Sequence, residues 1–158
     1  MNRLLSVIFL PVFASVVFSQ DRLPHFKDYP VSAVYTGINA PVVLGLDDRM
    51  YRTRLREASK EKPNFAGHYI VTFWGCGTEC VMGAVVDAKS GRVYWWNFTV
   101  CCWPNVDLKF QPIEYRLNSK LIVFSGARNE KEGDVGAHFY KFERGRFVHV
   151  RSVVKEHQ

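Results

Sequence analysis

The chain has 158 residues, 47% hydrophobic and 23% charged, which is the composition of a folded globular protein and excludes disordered and collagen-like classes. Its formal net charge is +6, with no dense Lys/Arg run, so the positive charge suits solubility and weak attraction to anions and gives no reason to expect a nucleic-acid partner.

The first element is a leader. Met1-Asn2-Arg3 is followed by an almost uncharged run, Leu4 to Phe18, broken by Pro11 and ending in small residues before Gln20. A basic start, a short apolar core and a small residue at the cut predict a secretory signal peptide over residues 1–19. The run is too short, and too interrupted by proline, to predict a membrane anchor. Cleavage after Ser19 leaves residues 20–158 as a single domain of net charge +5, since Arg3 is the one charge removed. That length supports a sizeable core. All four cysteines (Cys76, Cys80, Cys101 and Cys102) lie in the mature part, and an even count in an exported chain predicts disulfides. The expected location is periplasmic or secreted.

Residues 20–46 are rich in proline and glycine and predict an irregular lead-in with one or two short strands. Asp47-Asp48 offers a helix cap. From Arg49 to Lys60, Tyr51, Leu55 and Ala58 recur at helical spacing, with Arg49, Arg52, Arg56 and Lys60 on the opposite face; Pro63 ends the pattern.

Beyond Pro63 the period changes to two. Tyr69–Trp74, Val81–Val86, Val93–Val100, Ile113–Leu117, Leu121–Phe124, Phe139–Glu143 and Phe147–Val154 are β-branched and aromatic and are separated by turn residues. The connections at 87–91, 118–119 and 144–145 are too short for crossover helices, so neighbouring strands should pair antiparallel. Segment 127–136 is polar and predicts an exposed, mobile loop. The expected fold is mainly β (α+β): an antiparallel meander or partly closed barrel of about six to eight strands with one N-terminal helix.

The stretch GHYIVTFWGCGTEC, residues 67–80, concentrates the unusual chemistry. Its C-x3-C spacing falls in the zinc range. Against a metal, the adjacent Cys101 and Cys102 would point to opposite faces of an extended strand, and an oxidising compartment consumes the thiolates a metal needs. No metal and no cofactor are therefore expected; Gly75-x-Gly77 lacks the third glycine of a dinucleotide loop. Four cysteines allow three pairings, and the sequence does not choose between them. A Cys101–Cys102 bridge would close a strained ring, so the favoured expectation pairs Cys76 and Cys80 each with one of the vicinal cysteines.

Phe65-Ala66-Gly67-His68-Tyr69, then Trp74-Gly75-Cys76-Gly77-Thr78-Glu79-Cys80 and Asp87…Gly91-Arg92-Val93-Tyr94, resembles a group of small exported bacterial proteins that share an F-A-G-H-Y strand leading into W-G-C-G-T-x-C. The likeness spans about residues 63–125. It implies a bacterial origin and an exported location, and it carries no mechanism.

Two kinds of candidate site follow. His68 and His138, with Glu79 or Asp87 as acidic partner, are the residue types of general acid–base catalysis and would make a small envelope hydrolase if brought together. Trp95, Trp96 and Trp103 belong to an aromatic concentration that cannot be buried on both faces unless something covers it, and so offer a binding platform. The cations Arg52 and Arg56 suit an anionic envelope polymer. With no recognisable catalytic motif, the favoured expectation is a non-enzymatic binding module of inhibitor or immunity type, its partner another envelope protein or an anionic polymer; the hydrolase is the alternative.

Overall fold

The two-residue period of the strand sequences becomes a sheet whose inner strands are covered on both faces. The structure, a computed structural model, describes residues 22–103 and 110–155, so the expected signal peptide lies outside the described residues. Eight strands form one antiparallel sheet: β1 (Tyr69–Gly77), β2 (Cys80–Asp87), β3 (Val93–Trp95), β4 (Val100–Cys101), β5 (Ile113–Tyr115), β6 (Leu121–Arg128), β7 (Gly136–Glu143) and β8 (Arg146–Val154). The order is β1-β2-β4-β6-β7-β8, with β3 also on β2 and β5 also on β6. The sheet is open, a mainly β architecture with a single short α-helix among the described residues.

Odd and even residues of β1, β2, β6 and β7 enter different cores. Val71, Val85, Ile122, Phe124, Tyr140 and Phe142 face inward with Phe65, Trp96 and Val100. Phe142 meets Tyr69 at 4.8 Å between ring centroids and Tyr94 at 5.7 Å, so the end of β7 curls back over β1 and β3. The alternate residues Ile70, Trp74, Ala84 and Val86 form a second core under helix α1 (Arg52–Ala58), which contributes Leu55 and Ala58. Leu121, Val123 and Phe139 form a third patch, covered by Phe26 and Tyr29 of the lead-in.

The helical stripe is as the spacing requires, but the start of the helix is not. Asp47–Tyr51 is a 3-10 turn, and α1 begins only at Arg52. Asp48 caps no helix: its buried carboxylate accepts from the Gly45 amide (2.6 Å) and the Trp95 indole (2.8 Å). Among its described residues the lead-in forms no strand. It runs as a strap whose amides at Tyr35, Ala40 and Val43 donate to carbonyls of Gly67, Ala88 and Gly91, with one bridge from Pro30 to Ser119.

Phe65-Ala66-Gly67 turns the chain into β1. Ala66 and Gly67 both take positive φ (43° and 84°), and a Cβ at Gly67 would collide with the Ala33 carbonyl of the strap. The Gly67 amide donates to Leu117 (2.7 Å), so this motif is a junction of strap, β1 and the β5–β6 connection.

The cysteines pair locally, Cys76 with Cys80 and Cys101 with Cys102, which corrects the expectation of bridges between the two segments. Cys76 occupies a bulge opposite Cys80, where the register slips between Gly75 and Gly77, and the 5.2 Å Cα separation lies in the usual disulfide range. Cys102 leaves β4 in a left-handed conformation (φ 62°), which breaks the strand alternation that would have sent the two sulfurs to opposite faces. Segment 127–136 is also tighter than expected. β6 continues to Arg128, β7 begins at Gly136, and Asp134 between them is buried.

Candidate binding cleft

The predicted strand Val93–Val100 breaks after Trp95, and that break makes the cleft. Tyr94 and Trp96 point into the inner core, whereas Trp95 points to the helix side. Trp96 does not continue the ladder. Its indole lies on Gly83, where an added Cβ would collide with the ring, and packs edge-on to Phe124 at 5.2 Å. Only a residue without a side chain admits this approach. The chain then turns tightly, the Phe98 amide donating to the Trp96 carbonyl (2.5 Å), and rejoins β2 at Val100.

The detour leaves a cleft of 470 Å³ against β2. Tyr51, Met82, Trp95, Trp96 and Phe98 wall it, and Asp47, Asn97, Thr99 and Asn129 supply polar groups. Apolar walls with a few placed polar groups are the usual make-up of a ligand pocket, and the volume lies in the usual range. The walls are held from behind. Trp95 is fixed by Asp48 and packs against Tyr51 (5.2 Å) and Trp74 (5.7 Å); the Asn129 side chain accepts from the Thr99 amide (2.9 Å). Trp96 also carries a buried indole N–H with no hydrogen-bond partner among the described residues. A larger cleft, 780 Å³, lies between the strap and the end of α1, but Tyr35 is its one aromatic ring.

The proposed acid–base residues separate. His68 lies just before β1, its Nε2 3.7 Å from Asp87 Oδ1, in a 370 Å³ cleft with Lys89, Lys120 and Arg144. Burial lowers the His68 pKa below its usual value; Asp87 opposes this and Lys89 adds to it. Its neighbour Tyr69 is pushed up to about 12, chiefly by burial and then by the Asp87 charge. Glu79 is exposed in the turn at the other end of β2 from Asp87. Seven or eight residues of strand put the two carboxylates roughly 25 Å apart.

His138 belongs to a different network. It is fully buried, its Nδ1 2.8 Å from Ser152 Oγ and its Nε2 within 2.9 Å of the Gly126 and Asp134 carbonyls. Two carbonyls accept only if Nε2 carries the proton, which commits both ring nitrogens to protein partners. Asp134 is gripped by Arg128 through Nε and Nη2, both at 2.8 Å, and the Arg128 amide also donates to it. These bonds hold the Asp134 carboxyl down at about 2 and raise Arg128 further. His138 thus sits at the cysteine end of the sheet, since Ala127, next to Gly126, pairs with Cys101. His68 sits at the other end.

Of the remaining candidates, Arg52 and Arg56 are exposed on α1. Trp103 lies apart from the cleft, against Phe110 at 5.8 Å. Sequence reasoning missed Tyr51, Met82 and Asn129 as cleft residues and the Arg128–Asp134 pair; their partners are 30 or more positions distant or lie in a segment read as loop, and no local period marks them. Among the described residues no cluster of His, Cys, Asp or Glu could hold a metal ion, and no helix is long and apolar enough to cross a membrane. In comparisons with protein families, with curated proteins and with solved structures, the chain matches none.

Proposed function

We propose that this protein is an exported, non-enzymatic binding module of inhibitor or immunity type whose recognition site is the Trp95–Trp96–Phe98 cleft. The observation that carries the reading is the interrupted β3–β4 edge, which leaves aromatic walls, fixed from behind, around 470 Å³ of open space. Rigid aromatic rings give large contact area at small cost in side-chain entropy, which is why they dominate recognition surfaces. The partner is another envelope protein inserting an apolar side chain; the exposed Arg52 and Arg56 on α1 provide a second contact for anionic polymer. The paired cysteines suit an oxidising location. The hydrolase reading gains less support, because both ring nitrogens of His138 are committed internally and His68, 3.7 Å from Asp87 in a cleft that Glu143 also lines, lies at the opposite end of the sheet from it.

A photo-crosslinking side chain at the exposed rim residue Asn97 tests this in the exported protein. It should capture one envelope protein, Trp95→Ala should abolish the adduct, and a probe at exposed Arg146 should capture nothing. Equal capture at both positions, or no adduct together with hydrolase activity of the purified chain, rejects the proposal.

A further inference from the structure

The two local disulfides are neighbours across one ladder. Cys80 of β2 and Cys101 of β4 are register partners, and both are buried together with Ala127, with the half-buried Val135 packed against them. Their bridge mates, Cys76 and Cys102, are exposed. Each disulfide therefore has one member open to attack and one inside. The two inner cysteines face each other on adjacent antiparallel strands, where Cα atoms lie about 4.5–5.5 Å apart. That separation falls within the span of a disulfide, so a Cys80–Cys101 bridge needs no backbone rearrangement.

We infer that the four cysteines form a thiol–disulfide exchange site that takes a dithiol, either a small molecule or the C-x-x-C pair of an exported oxidoreductase. A thiolate of the dithiol attacks Cys102 Sγ; the Cys101–Cys102 bond breaks and its electron pair leaves on Cys101. The Cys101 thiolate attacks Cys80 Sγ, the Cys76–Cys80 bond breaks, and Cys76 leaves as a thiolate that takes up a proton. The second thiol of the dithiol then resolves the mixed disulfide at Cys102, releasing oxidised dithiol and a Cys102 thiol. Two electrons and two protons have entered the protein. The product keeps one bridge, Cys80–Cys101, with Cys76 and Cys102 as exposed thiols. Exchange of this kind depends on access to the attacked sulfur and on a thiolate within reach of the next bond, which the burial pattern and the register supply. The site is independent of the aromatic cleft and stands if that reading fails.

The test is stepwise reduction of the mature protein with dithiothreitol, quenching with acid and alkylating agent, and mapping of labelled cysteines by mass spectrometry. At the two-electron stage the expected species carries label on Cys76 and Cys102 and retains a Cys80–Cys101 bridge. Label on Cys101 and Cys102 alone, or on Cys76 and Cys80 alone, shows independent staples and overturns the inference, as does loss of both bridges without a two-electron stage. Cys102→Ala, purified oxidised and never reduced, provides a second readout. Exchange places its single free thiol on Cys76; independent staples leave it on Cys101.

Discussion

Asp134→Asn is the sharpest probe of what holds the β6–β7 connection together. The carboxylate is 7% exposed, accepts from Arg128 Nε, Nη2 and amide, and is thereby held at about 2 instead of 3.8. A folded-state pKa below the unfolded value means that ionisation favours the fold. That contribution is complete at pH values above the unfolded pKa and is lost as pH falls through the folded one. The size of the depression corresponds to about 2–3 kcal/mol at neutral pH. Asn keeps the shape and one acceptor but leaves Arg128, whose side chain is 25% exposed, without its counter-charge. Urea unfolding at pH 7 should therefore show the variant about 2–3 kcal/mol less stable, with a melting temperature roughly 5–10 °C lower for a domain of this size. The gap should persist from pH 7 to about 5 and shrink steadily between pH 4 and 2, as the wild-type carboxyl protonates. A gap of the same size at pH 2.5 and pH 7 would show that the loss is one of packing, and would refute the charge argument.

Leu55→Ala removes the side chain of α1 that is wholly buried against the sheet, and thermal melts should show a loss of about 2–4 kcal/mol. Asp48→Ala leaves the Gly45 amide and Trp95 indole without their acceptor; it should cost about 1–3 kcal/mol in chemical denaturation and shift the Trp95 fluorescence toward that of a more mobile indole. His68 should titrate below 6.5 by NMR, and Asp87→Asn should lower it further, because Asp87 is the contribution that opposes burial. Reversing charge with Arg52→Glu and Arg56→Glu should weaken retention on anionic vesicles at low salt while leaving Asn97 crosslinking intact; unchanged retention would remove the polymer contact.

Strand identity was legible because alternation is local. Tyr69 to Trp74 and Leu121 to Phe124 each send successive residues to opposite cores, and β-branched and aromatic side chains announce this without reference to any partner. The break after Trp95 was not legible, since residues 93–100 read as one uninterrupted strand. What interrupts them is the fit of one indole against Gly83, ten or more residues away on another strand. Asp48 failed for a related reason. Its position before a helical stripe suits a cap, but its partner is Trp95, 47 positions on. The cysteine pairing turned on the left-handed backbone of Cys102, which nothing in a Cys-Cys-Trp sequence signals.

The strap has a consequence for the order in which the chain acquires structure. It precedes in the chain every strand it fastens, yet its amides bond to carbonyls at 67, 88 and 91, and Ser119 Oγ donates to Phe26 from 93 positions away. Loop closure over such distances is favourable only once the far side exists to receive it. The strap therefore waits for the β1–β2 hairpin and the β5–β6 connection and acts as a latch, closing over elements that have already paired. Pulse-labelled hydrogen exchange during refolding should find the amides of Tyr35, Ala40 and Val43 protected after those of Ile70 and Val86; protection in the same phase would mean that latch and sheet form together.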